Sequence, residues 1–147
     1  MASEADHLLL ANRNHATLAV LLPNAEDHPE WVTTIAFYKA VQIFEAVFAK
    51  QNIDASTSHR ARAHTIKRKL KNEHLFKQYN ALLTASKIAR YLSDSESNLS
   101  YKKFSDFMPP SSIIERVIKK RLIPIEQQCK ALLSSKCSLI CIDPAIS

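Results

Sequence analysis

The chain reads as an all-α protein, an antiparallel up-and-down bundle of four to five helices, and three observations predict it. There is no glycine in its 147 residues. Glycine serves tight turns, phosphate-cradling loops and strand bulges, so its absence speaks against Rossmann, P-loop and most β-rich designs. Apolar residues recur instead at helical spacing, and short polar links separate the periodic runs. Hydrophobic residues make up 46% and charged residues 23%, ordinary for a globular chain of one-domain length. We read residues 1–147 as a single helical domain, with the bundle core over about 5–134 and an apolar tail over 135–147.

The first helix is expected from Ser3 or Ala5 to Leu22, with Leu8, Ala11, Leu18 and Leu22 as its apolar stripe, His15 on the same stripe and Pro23 as its stop. A second starts at Pro29, well suited to a first helical turn, with Asp27 or His28 as cap. Phe37, Val41, Phe44 and Phe48 form one stripe of this helix, and Trp31, Ile35 and Tyr38 widen it, which marks a central helix. Ser58 caps a third helix that ends near Lys71 or Asn72. The fourth carries LFKQYNALLTASKIARYL, its apolar face supplied by Leu75, Tyr79, Leu82 and Leu83. The stretch SDSESNLSYKKFSDFMPP reads as a long, mobile loop that Phe104, Phe107 and Met108 pin to the core. Ser112 and Glu115 make a capping box before a fifth helix, which Pro124 should kink. The tail CSLICIDPAIS is apolar enough to pack on the bundle or on a partner.

Charge divides the chain. Residues 1–55 hold three basic and seven acidic side chains, residues 56–147 seventeen basic and seven acidic. A basic half of net +10 favours a polyanionic partner, either nucleic acid or an acidic protein, over a surface that is merely soluble. Cys129, Cys137 and Cys141 have no zinc-finger spacing and read as free thiols of a reducing, cytoplasmic compartment. No signal peptide, membrane-spanning segment, metal motif, glycine-rich loop or nucleophile elbow is expected, and no cofactor.

The basic half is densest over residues 58–74, SHRARAHTIKRKLKNEH, with three histidines, three arginines, three lysines and Glu73 as its one acid. On a helical wheel at about 100° per residue, Ala63, Ile66 and Leu70 define the buried face. His59 and Arg62 fall on the bundle side; Arg60 and Lys67 flank the other margin, and His64, Arg68 and Lys71 point outward. Arg60, His64, Lys67 and Lys71 are therefore the candidate phosphate contacts, a strip able to hold a backbone without reading bases and without interleaved aromatic residues. Glu45 lies in an apolar helix and needs a partner; Arg13, His59 and Arg62 are the candidates for an inter-helix polar cluster.

Four stretches, RNHATLAVLL, WVTTIAFYKAVQIFEAVFA, SHRAR and YNALLTASKIARYL, resemble in their order and spacing the prokaryotic HEPN-domain family, over roughly residues 6–93. The resemblance implies an antiparallel helical bundle, usually a homodimer, in a family of metal-independent ribonucleases, toxins of toxin–antitoxin pairs, and inactive nucleotide- or RNA-binding members. The active members carry an arginine, four to six residues and a histidine; here Arg68-KLKNE-His74 has that count. The implied reaction is transesterification, with histidine handling the proton at the ribose 2′-OH or the leaving oxygen and arginine stabilising charge on phosphorus. On one continuous helix Arg68 and His74 point about 120° apart, so they converge only through a helix break near Asn72 or a second copy of the chain. Gln42 stands where similar sequences often show histidine. The expected function is an RNA- or nucleotide-associated protein whose enzymatic form is a toxin- or defence-type endoribonuclease. Beside it stands a non-catalytic interaction module that binds a protein partner such as a nucleotidyltransferase-type antitoxin.

Overall fold

The computed structural model describes residues 2–134 and 138–147, so Cys137 and the first residues of the expected tail lie outside the described residues. The chain is mostly helical: about five helices pack against one another beside a tiny two-stranded hairpin. Helix α1 runs over Glu4–Leu21 and α2 over Pro29–Lys50, joined by a 3₁₀ turn. Helix α3 covers His59–Thr65 and continues as a π-helical turn over Ile66–Leu70; α4 covers Glu73–Tyr91. Strands β1 (Ser93–Asp94) and β2 (Leu99–Ser100), then the short α5 (Phe104–Phe107), lead to a π-helical stretch over Ile114–Leu122 that runs on as α6 (Ile123–Lys130). Side-chain pairs give the directions. His7 meets Gln42 and His15 meets Lys39 between α1 and α2. Tyr38 meets Arg90 and Phe44 meets Tyr79 between α2 and α4. His74 meets Gln128 and Gln78 meets Arg121 between α4 and the last helix. In each pair of helices one residue number rises as the other falls.

The helix starts lie where local chemistry puts them. Ser3 and Asp6 make a reciprocal capping box for α1, Pro29 sits in the first turn of α2, the Ser58 hydroxyl accepts from the Ala61 amide, and Asn72 Oδ1 accepts from the Leu75 amide. Phe37, Phe44 and Phe48 are fully buried along α2, each worth about 1.5–3 kcal/mol of burial. Trp31, expected to widen that stripe, is instead 62% exposed, although Pro29 and Val32 of the same turn are buried; it lies on the side of α2 where Ile35 and Tyr38 are only half-buried. At 22 residues α2 is, by length and composition, long and apolar enough to cross a membrane, which corrects the expectation that no segment would be. Of its apolar window 78% is buried inside the bundle.

Without glycine, the left-handed backbone positions fall to Asn52, Lys71, Leu92 and Asn98, with φ between 52° and 58°. Asparagine tolerates this region; lysine and leucine do so at a cost of roughly 1–2 kcal/mol. Lys71 is the break between α3 and α4, and Leu92 ends α4. The stretch expected to be a long, mobile loop carries β1, β2 and α5, and Asp94 within it, 4% exposed, accepts from the Ser97 hydroxyl (2.7 Å), the Glu96 amide (3.2 Å) and Lys87 Nζ (3.4 Å). Phe104 and Met108 are buried beneath it, Phe107 half-buried.

One expectation for the last helix is corrected. The Ser112 hydroxyl donates to the Pro109 carbonyl (2.8 Å) rather than capping, because a 3₁₀ turn begun by Pro110 already starts the helix. At Pro124, where a kink is expected, Leu122 and Ile123 keep right-handed helical dihedrals, and the Ile123 amide bonds back five residues to the Ile118 carbonyl. Proline lacks an N–H and its ring crowds the preceding turn, which a widened π register accommodates.

Candidate functional site

The first turn of α3 is fixed by a buried polar knot. Arg62, 7% exposed, donates from Nε to Glu45 Oε2 (2.8 Å) and from Nη1 to both the Tyr79 hydroxyl (3.1 Å) and His59 Nδ1 (2.9 Å). The other Glu45 oxygen accepts from the Ser56 amide at 3.0 Å, and Tyr79 donates to the His59 carbonyl at 3.3 Å. Burial alone would raise the Glu45 carboxyl, but the Ser56 amide and Arg62 outweigh it and hold the acid below its ordinary value. Burial, then Arg62, Arg90 and Lys87, hold His59 below its own. Because guanidinium only donates, Nδ1 of His59 is the acceptor and the proton resides on Nε2. Arg13 is exposed on α1 and supplies none of the hydrogen bonds to Glu45, being off the stripe of Leu8, Ala11 and Leu18 that faces the core.

With Arg62 anchored inward, the opposite face of α3 carries the cationic strip. Arg60, His64 and Lys67 line one cleft of about 240 Å³ between α3 and α4, with Phe76, Asn80 and Glu96 also in its wall. Lys67 Nζ sits 5.2 Å from the centroid of the Phe76 ring, a cation–π contact worth about 0.5–1 kcal/mol at an exposed site. The strip therefore does have an aromatic component, supplied from α4 rather than interleaved in α3. His64 also borders a neighbouring hollow with Thr65, Arg68 and Lys69. Lys71 is exposed at the left-handed break and lines neither cavity.

The two residues expected to act together stand in different settings. Arg68 is exposed in the hollow beside His64. His74, past the break, lies between two amides: its Nε2 is 2.9 Å from Gln78 Nε2 and its Nδ1 is 2.6 Å from Gln128 Nε2. Gln128 is held in turn by Asn72 Nδ2 (3.1 Å), and Gln78 accepts from Arg121 Nη1 (2.9 Å). His74 thus ties α4 to the last helix.

A second buried cluster escaped the sequence reading. Lys39, fully buried in α2, is paired with Glu126 of α6, itself 1% exposed. Its Nζ also donates to the Ile140 carbonyl (2.8 Å) and to His15 Nδ1 (2.9 Å), while Glu126 Oε1 accepts from the Ile142 amide (2.9 Å). Burial holds Lys39 below its ordinary value and Glu126 above its own, and His15 is lowered by burial and by Lys39. The cluster locks the tail onto the bundle, with Leu139 and Ile142 buried. The available signal was a lone lysine in the apolar run IAFYKAVQIF.

Among the described residues no group of three or more His, Cys, Asp or Glu side chains is placed to hold a metal ion. Cys129 is buried and Cys141 half-buried, and both are free thiols. Comparison of this chain with protein-family models, curated proteins and solved structures finds no match.

Proposed function

We propose that this is an RNA- or nucleotide-associated protein built as an antiparallel HEPN-like bundle, and that the α3–α4 cleft holds an RNA strand by its phosphates. The observation that carries the reading is the convergence of Arg60, His64 and Lys67 on one cleft, with Lys67 held over Phe76. The buried knot at Arg62 supports it by fixing how α3 presents that face. Binding of this kind is salt-dependent, with a slope of about −0.7 per phosphate neutralised on a single strand. The test is fluorescence anisotropy with a labelled single-stranded RNA across a salt series, for the wild type and Arg60→Gln/Lys67→Gln. Loss of two phosphate contacts should weaken binding and flatten the slope by about 1.4. An unchanged slope and affinity would remove the cleft from the binding surface.

The enzymatic form of this reading is metal-independent cleavage by Arg68 and His74. His74 would take the proton of a ribose 2′-OH, that oxygen would attack phosphorus, and the 5′-oxygen would leave with a proton drawn from water, giving a 2′,3′-cyclic phosphate and a 5′-hydroxyl; Arg68 would offset the added negative charge. The break at Lys71 favours this form, since it frees the two residues from one helix axis. The bracketing of His74 by Gln78 and Gln128 favours the second reading, a non-catalytic module in which His74 serves packing. RNA cleavage in EDTA by the wild type, His74→Ala and Arg68→Ala decides between them: cyclic-phosphate ends lost in both variants establish the nuclease, and equal behaviour of all three proteins establishes the module. For the module a homodimer or an acidic protein partner fits. Leu9, Val20 and Trp31, all more than 60% exposed, offer apolar surface for the former, and the basic half offers charge for the latter. The free thiols of Cys129 and Cys141 accord with a reducing cytoplasm.

A further inference from the structure

We propose that the pocket between α4 and the last helix binds a phosphate monoester attached to an apolar group, of which a nucleotide is the model. The pocket encloses about 340 Å³ and presents Arg116, Lys120 and Arg121 without a carboxylate in its wall. Among the described residues none of the three has an acidic ion-pair partner; the nearby Glu115 reaches Lys119 instead, at 3.9 Å. The backbone itself creates the cluster. In a π register hydrogen bonds run from residue i to i+5, so positions four and five residues on both return to the same side of the helix. That places Arg121 beside Lys120 on the face already holding Arg116; an α-helical turn would swing the fifth position away by about 140°. Single-turn π geometry is frequent at functional sites, and here it extends over Ile114–Leu122.

Arg121 is also pre-positioned. Its Nη1 donates to Oε1 of Gln78, a side chain only 7% exposed, which aims the rest of the guanidinium at the pocket. Burial and the adjacent Arg116 both disfavour its charge, so the site holds a crowded cationic group with no counter-ion of its own. A dianionic phosphate satisfies three convergent cations; a carboxylate leaves more of that charge uncompensated. The rest of the wall is mostly apolar, with Phe107 and Met108 from the preceding loop, while Asn80 supplies an amide and Thr84 a hydroxyl. Asn80 also borders the α3–α4 cleft, but the other groups differ, so this site stands without the RNA reading. The phosphate comes either from a free mononucleotide or from the phosphorylated end of an RNA strand.

Isothermal titration calorimetry on the full chain separates these sources. The titrants are AMP, adenosine, and a pentaribonucleotide with and without a 5′-phosphate. The proteins are wild type, Arg116→Gln/Lys120→Gln, and Arg60→Gln/Lys67→Gln. We expect a phosphate-bearing ligand to bind at least tenfold tighter than its dephosphorylated counterpart, and Arg116→Gln/Lys120→Gln to abolish that preference; Arg60→Gln/Lys67→Gln should weaken both pentanucleotides alike and leave the ratio between them, and AMP binding, unchanged. Binding of AMP assigns the site to free nucleotides, and preference confined to the pentanucleotide assigns it to strand ends. Both substituted side chains are exposed; should the pair fail to fold, Thr84→Glu sets a carboxylate in the same wall and must give the same loss. No preference for phosphate in either ligand, or a preference that survives these substitutions, overturns the assignment.

Discussion

Replacing Lys39 by methionine tests how the bundle holds its tail and its most buried charge. Methionine keeps the length and fits an apolar surrounding, so packing loss is small. The ammonium has three acceptors, and they are left in different positions. Ile140 is half exposed and His15 half-buried, so water can reach them. Glu126 is 1% exposed and keeps one donor, the Ile142 amide. The cost therefore concentrates on one uncompensated carboxylate, about 3–5 kcal/mol for removing one member of a buried pair. A domain of this size has roughly 5–15 kcal/mol in total, so the midpoint should fall by on the order of 10 °C. Thermal melts followed by circular dichroism at pH 7 measure the midpoint, and urea denaturation measures the free energy. The double variant Lys39→Met/Glu126→Gln should recover most of the loss, since the amide oxygen still accepts from Ile142 and no charge is buried. Burial already raises the Glu126 carboxyl, and without Lys39 it rises further, above its unfolded value. Stability contributed by such a group is present at low pH and lost as pH rises through the folded pKa. Lys39→Met should accordingly be less handicapped at pH 5 than at pH 7. A loss under about 1 kcal/mol, or a double variant as weak as the single, would refute the reasoning.

Two further outcomes follow from the geometry. The folded Glu45 carboxyl is held low, so its stabilising contribution is present above its unfolded value near 4.5 and fades as pH falls through the folded one; Glu45→Gln should lower stability at pH 7 and flatten the pH dependence below that value, read by thermal melts between pH 2 and pH 7. Lys71→Gly should raise stability by about 0.5–1 kcal/mol, the relief of left-handed strain less the entropy that glycine adds to the unfolded chain, and a destabilised variant would show that φ of 52° costs lysine little here.

What could be read along the chain was whatever neighbouring residues decide. Ser58 and Pro29 start helices because a cap acts on amides two or three residues away, and a proline acts on its own turn. The Phe37, Phe44 and Phe48 stripe required only helical periodicity. Even the inward turn of Arg62 and the need of Glu45 for a partner were legible, since a charge on an apolar face has few options. The left-handed lysine between α3 and α4 was half legible, as a break near Asn72 without its mechanism.

The tertiary structure decided everything that joins distant positions. Lys39 and Glu126 meet across 87 residues; the apolar run around Lys39 marks a charge in need of a partner, but nothing local says which acid supplies it. Phe76 enters the cationic strip because α4 folds back along α3, and Trp31 stays outside the core because it lies on the side of α2 where Ile35 and Tyr38 are only half-buried. Arg121 joins Arg116 and Lys120 on one face because the helix adopts a π register before Pro124. Local dihedral preference and periodicity are encoded within a turn or two of sequence. Which charges are buried together, and which cations share a cavity, depends on helix directions and register, and those are settled only when the whole core packs.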